Sequence, residues 1–299
     1  MKKLLLPAVL LMFLNAASQT LQERLGYSKN AKLLIIHADD LGVAHSQNSA
    51  SFNALEKGSV SSASIMVPCP WFSEVAAYAA WHTGVDFGIH LTFTAEWNLY
   101  KWGPVAGKQD VPNLFNKNGY FFSSVDSVLK SSNATEIEKE IRAQIEKAKQ
   151  AGIDITHLDS HMGTLYSNKD YLEVLLKLGR EYKLPVMLSQ QRMIAVADEE
   201  QVLISNIYVE SPQDYAKGAN NYYTNILRSL QPGVSLIILH AAYDDSEMQA
   251  VTAQHPDYGA AWRQADYNFF TSEACKKLLQ QNDIHVITWK EIRDKIIRK

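Results

Sequence analysis

Cysteine is nearly absent: Cys69 and Cys275 are the only two in 299 residues, and the flanks of neither look like a metal knuckle or a redox motif. A disulfide-built scaffold is therefore excluded, because a chain of this length buries a core without staples. One bridge between them and two buried free thiols both remain open. Basic residues do not dominate either. Lys and Arg number 29 against 32 Asp and Glu, the net charge is -3, and no dense Lys/Arg run stands out beyond the N-terminus. Nothing offers a phosphate-gripping surface, so nucleic acid is not expected as a partner. A glycine-rich phosphate loop is missing as well: after the first strand-like run stands His37-Ala38-Asp39-Asp40-Leu41-Gly42, which argues against a nucleotide-binding protein. The apolar run at residues 4–14 is well short of the about 20 residues a bilayer span requires.

That N-terminal run does have a reading. Met1, Lys2 and Lys3 precede it and Asn15-Ala16-Ala17-Ser18 follows, which is the order of a signal peptide: a charged start, a short apolar stretch and small residues for cleavage. The expectation is a signal peptide over residues 1–18 and an exported domain, periplasmic or secreted, over residues 19–299, without stable membrane association after cleavage. No cysteine follows the apolar run, so a lipid anchor is not indicated.

Beyond residue 30, short apolar runs alternate with longer amphipathic ones, the mark of βα units around a parallel sheet. Strands are expected at 32–38, 61–67, 85–91, 155–159, 185–188, 202–208, 234–240 and 285–289, and helices at 46–57, 135–150, 171–182, 214–230 and 272–282. Several strand segments are continuously apolar, as when both faces are covered. Seven or eight such units favour an α/β fold with a closed or nearly closed (β/α) barrel in a single domain over an open doubly wound sheet. Residues 97–122, rich in Gly, Pro, Asn and aromatics and without period, read as a long loop facing substrate. The Asn133-Ala-Thr135 triplet fits a glycosylation acceptor, a common match.

In such folds function sits where strands end. Asp39-Asp40, His90, His161 and His240 all fall at such ends. Two adjacent carboxylates closing an apolar strand need a cation or hydrogen bonds to offset their repulsion. One carboxylate and two imidazoles form a first shell for a divalent ion with open positions, so Asp40, His90 and His161 are the candidate metal ligands. Asp39 would then lie beside the metal-bound water and could take its proton. His240 is the candidate general acid for a departing amine, with a core role as the plain alternative.

The stretches Leu34-Ile-Ile-His-Ala-Asp-Asp-Leu-Gly, Gly58-Ser-Val-Ser-Ser-Ala-Ser-Ile-Met-Val, Gly88-Ile-His-Leu-Thr and Thr156-His-Leu-Asp-Ser-His resemble, in order, the motifs of the YdjC-like carbohydrate deacetylases, the ChbG/HpnK group. The resemblance spans most of the chain from about residue 32. It implies a deformed barrel, one divalent metal (magnesium or zinc) and hydrolysis of N-acetyl groups on amino sugars, with an N-acetylated sugar as substrate. It also implies metal ligation by the matching Asp40, His90 and His161, and a catalytic base at Asp39. Two departures bear on substrate choice and the leaving group: family members commonly continue Asp-Ser-His with further histidines, where this chain has Met162-Gly-Thr-Leu, and carry His-Pro-Gly where this chain has His240-Ala-Ala-Tyr.

Smaller expectations complete the reading. His157 and Asp159 share a strand face and are expected to orient His161 rather than ligate. Arg263 and Asp266 could hold Asp39, or form an ordinary surface pair. Trp97, Trp102, Tyr100 and Phe122 could stack on sugar rings or pack within their own loop. Two rivals stand beside the deacetylase: a non-haem iron oxygenase, which uses the same donor set, and an exported sugar-binding protein of this fold that has lost activity.

Overall fold

A computed structural model describes residues 19–193, 201–255 and 257–299; the expected signal peptide lies outside the described residues. The strands are β1 (Lys32–Leu41), β2 (Ser62–Ile65), β3 (Phe87–Leu91), β4 (Ile155–Ser160), β5 (Leu188–Ser189), β6 (Leu203–Ile204), β7 (Asn206–Val209), β8 (Gly233–Leu239) and β9 (Ile284–Val286). Their order in the main sheet is β4-β3-β2-β1-β8-β7, every pairing parallel. The ring closes on the other side. Val186 bridges to Leu158 of β4, β5 pairs with β6, and Ser205 joins β6 to β7 while donating its N–H to Val234 O. β9 lies on β1 at Lys32–Leu34, whereas β2 pairs with β1 only from His37 onward. The result is a deformed α/β barrel in a single domain, as its alternation of short apolar and amphipathic segments implies.

Four expected segments differ in detail. The 202–208 strand breaks at Ser205 into β6 and β7. Pro185 has no N–H for a ladder, so the 185–188 segment is held only by the Val186 bridge before β5 begins at Leu188. The 285–289 strand stops at Val286, because Thr288 caps the helix Trp289–Ile292 through its side chain. The 214–230 helix splits at Gly218, whose φ of 102° lies outside the helical region. The helices Phe72–Trp81 and Ala260–Phe270 were not among the expected elements.

Side-chain alternation along the strands explains where the polar residues go. On β1, Leu34, Ile36 and Ala38 pack in the large core shared with the surrounding helices, whereas Leu33 and Ile35 pack with Val202, Ile204, Val234, Leu236, Ile287 and Trp289 in a second cluster inside the ring. Continuing that inner column by twos gives His37 and then Asp39. The barrel interior is thus apolar at its base and polar toward the strand ends. Leu25 of the helix Leu21–Leu25 and Ile292 and Ile296 near the C-terminus join the basal cluster. The helix Ala134–Gln150 starts at a capping Asn133, whose side chain accepts from the N–H groups of Thr135 and Glu136. Cys69 and Cys275 are buried free thiols. Among the described residues no helix is long and apolar enough to cross a membrane.

Candidate active site

Neighbouring residues of a regular strand point to opposite faces, so Asp39 and Asp40 should not meet at one point. Both nevertheless reach His90 Nε2, Asp39 Oδ2 at 3.8 Å and Asp40 Oδ1 at 3.5 Å, because β1 is irregular there. Its register with β2 shifts between Ala38 and Leu41, and Asp40 takes a left-handed φ of 70°. Aspartate tolerates that region better than most residues, and such strain collects at functional sites. Gln47, on the following helix His45–Lys57, fixes the turn by donating to Asp39 O at 2.8 Å.

The three expected ligands converge. His90 Nε2 lies 3.5 Å from Asp40 Oδ1, His161 Nδ1 lies 3.4 Å from the same oxygen, and the two ring nitrogens are 3.1 Å apart. Donor atoms about 2.1 Å from one divalent ion at tetrahedral or octahedral angles are themselves about 3.0–3.4 Å apart, so the spacing fits. Hydrogen-bond roles point the same way. His90 Nδ1 is 2.8 Å from Asp159 Oδ1 and His161 Nε2 is 3.0 Å from Glu96 Oε2, so the far nitrogens are donors and the near ones are the pair left to ligate a metal. Asp40 Oδ1 is buried and has no hydrogen-bond partner among the described residues. A buried carboxylate oxygen without a partner, with two ring nitrogens within 3.5 Å of it, suits a cation there.

The charges around this point agree. Burial opposes ionisation of Asp40, but Arg263 and the adjacent imidazoles outweigh it and hold the carboxyl well below the usual range. Burial also opposes charge on His161, yet Glu96 and Asp40 push it up to about 10, which marks a place that attracts positive charge. Asp39 likewise lies below its ordinary value despite burial, through His90 and His37.

The remaining expectations are resolved in part. Asp159 orients His90, not His161, and Glu96 is the residue on His161. His157 touches neither, binding Thr156 and stacking on Trp289. Arg263 is buried and binds Asp40 Oδ2 at 2.9 Å and Gln47 Oε1 at 2.9 Å, so it holds Asp40 where Asp39 was expected. Asp266 accepts from His240 N and Tyr223 OH. Asp39 is held from below by His37 Nε2 at 2.9 Å and Ser64 Oγ at 3.0 Å. His240 follows β8, half-buried, its ring 5.0 Å from that of Tyr258. Burial and Arg263 lower it against the pull of Asp40, to about 4, so the resting imidazole is neutral.

A cavity of about 380 Å³ opens beside the cluster, within the range of small-molecule sites. Asp39, His90 and Asp159 line one side, and Tyr166, Tyr208 and Ile238 are among those lining the rest. The aromatic loop is not part of it. Trp97 and Trp102 are buried, Trp102 Nε1 donates to Thr94 O, Tyr100 OH donates to Val43 O, and Trp97 lies 5.4 Å from the Arg263 guanidinium. These rings pack within their own loop and brace the arginine on Asp40. His37, Ser64, Gln47 and Glu96 were not singled out from the sequence. His37 had a signal, standing two residues before Asp39 on the same strand face.

A family profile described as YdjC-like protein matches residues 33–281. A protein of Thermus thermophilus named carbohydrate deacetylase is 30% identical over 289 residues, covering 92% of this chain and 98% of the relative. A carbohydrate deacetylase of Thermoanaerobacter pseudethanolicus is 27% identical over 256 residues, covering 85% and 96%. Among solved structures, one described as a putative cellobiose-phosphate cleavage protein from Enterococcus faecalis shares the fold with a TM-score of 0.75 at 24% identity, covering 88% of this chain and 99% of that one. With a profile match over most of its length and relatives spanning nearly all of it, the chain belongs to the YdjC-like family.

Proposed function

We propose that this protein is a metal-dependent hydrolase that removes N-acetyl groups from amino sugars or their oligosaccharides, acting after export and loss of residues 1–18. The observation that carries the reading is the convergence of Asp40 Oδ1, His90 Nε2 and His161 Nδ1, three buried atoms of metal-ligand type within 3.5 Å of one another, beside the cavity-lining Asp39. The names of the full-length relatives support the substrate class.

A divalent ion held by these three residues would polarise the acetamide carbonyl and make a water molecule more acidic. Two imidazoles suit zinc or another borderline ion better than magnesium, which prefers oxygen ligands. The chain's own residues supply the rest. Asp39 Oδ1 is engaged from below, so Oδ2 is left to take the proton of the attacking water. The departing amine needs a proton, and His240, neutral at rest, would have to take one up from solvent during turnover before it could deliver it, while Asp39 releases its own to solvent. Arg263 and Gln47 keep Asp40 and the β1 turn in place.

The test is acetate release from a panel of N-acetylated amino sugars and chito-oligosaccharides, with and without chelator. Turnover that needs metal is expected, and Asp39→Asn should cut it by about 10²–10⁴-fold while the metal content stays the same. Binding of these sugars by metal-loaded protein without acetate release would favour the sugar-binding alternative, for which the missing histidines after His161 are the motive.

A further inference from the structure

We propose that His37 is a buried imidazolium that positions Asp39, pinning its Oδ1 so that Oδ2 is the oxygen left facing the cavity; this rests on the reading of Asp39 as the base. The hydrogen-bond roles carry the argument. Ser62 Oγ donates to Asp86 Oδ1 at 2.9 Å, so toward His37 Nδ1, 3.1 Å away, it offers a lone pair, and Nδ1 must carry a proton. On the other side, His37 Nε2 faces Asp39 Oδ1 at 2.9 Å and Asp159 Oδ2 at 3.1 Å. Ser64 Oγ, also 3.1 Å from Nε2, donates its own proton to Asp39 Oδ1. A bare Nε2 would set a lone pair against three acceptors in a fully buried place, so this nitrogen carries a proton as well. With both nitrogens protonated the ring is a cation.

The charges are consistent with this. Asp39, Asp40, Asp159 and Glu96 bring four negative charges to the cluster, and Arg263 brings one positive charge. With His37 as a second cation and His90 and His161 neutral as metal ligands, two negative charges would remain, the number that the divalent ion of the proposed function would offset. Burial alone would disfavour the imidazolium, but the hydrogen bonds and charges of Asp159 and Asp39 raise its pKa to about 10. The same roles rule on a neighbouring candidate. His37, His157 and Asp159 lie close enough to suggest a metal site, but a ring with two N–H groups has no lone pair for an ion.

The His37 ring contacts Ser62, Ser64, Asp39, Asp159 and, edge-on, the His157 ring, and among the described residues it touches none of the three candidate ligands. Its loss should therefore act on turnover more than on metal binding.

The experiment combines nitrogen NMR of histidine-labelled, zinc-loaded protein with kinetics of His37→Gln and His37→Leu. Both ring nitrogens of His37 should carry protons from pH 6 to 9. His37→Leu should lower kcat by about 10²-fold, the scale of a misplaced catalytic group, with KM and zinc content little changed, and His37→Gln, which keeps a donor toward Asp39, should recover part of the loss. A bare ring nitrogen on His37, or full kcat in His37→Leu, would overturn the inference. If neither variant folds, the NMR of the unsubstituted protein decides. Full activity of Asp39→Asn would instead remove the reading of the base and leave the protonation of His37 standing.

Discussion

Glu96 offers the sharpest quantitative handle on the site. Its carboxylate accepts from His161 Nε2 at 3.0 Å, with a side chain only 13% exposed, and thereby holds Nδ1 toward the candidate metal position beside Asp40 Oδ1. The carboxylate does two things: it fixes the tautomer, and it makes the imidazole more basic. Loss of such a partner typically weakens metal binding by about 10–100-fold, or about 1.4–2.8 kcal/mol. Glu96→Gln keeps an acceptor and loses the charge, so the lower end is expected, whereas Glu96→Ala removes both and should reach the upper end. Equilibrium competition against a chromophoric zinc chelator at fixed pH measures this directly. Equal zinc affinity in the alanine variant and the unsubstituted protein would refute the idea that Glu96 orients a ligand.

Three further outcomes follow from contacts elsewhere in the fold. Arg263→Met leaves Asp40 charged and unpaired in the interior, which should destabilise the metal-free protein by about 3–5 kcal/mol; calorimetry should show a lower Tm and a smaller gap once zinc is added, and an unchanged Tm would contradict it. Gly88→Ala should also lower Tm markedly, because the new Cβ would sit 2.3 Å from the His157 ring, which is locked by Thr156 and Trp289; a stable variant would mean that the ring can move. Glu140 accepts from the N–H groups of Val105 and Ala106 and from Gln144, and burial raises its pKa from 4.5 to about 7. The folded state then holds a proton that the unfolded chain has released, so this group's contribution to stability falls as pH rises from about 4.5 to about 7 and is level above that. Urea unfolding of Glu140→Gln across this window should lack that slope; an identical slope would show that another group causes it.

How much of this was legible depends on the range of the signal. The alternation of apolar and amphipathic runs implied a ring of parallel strands, and Asp40, His90 and His161 were visible because each closes an apolar strand. The device that turns Asp39 and Asp40 toward one point was not visible, since a register shift and a left-handed φ leave no mark beyond the Asp-Asp pair itself. Glu96 sits in an aperiodic loop, and Arg263 lies 223 residues from its partner Asp40 on a helix with little amphipathic pattern, so both contacts exist only in the folded chain. The break at Ser205 and the late start of β5 at Leu188 escaped for a related reason: two-residue strands carry no period from which to read their bounds.

The central claim is that one divalent cation is held by Asp40, His90 and His161. Crystals of zinc-loaded protein measured at the zinc absorption edge test it most directly: the account predicts a single strong anomalous peak within bonding distance of Asp40 Oδ1, His90 Nε2 and His161 Nδ1. A peak elsewhere, or none in protein shown to contain zinc, would contradict it.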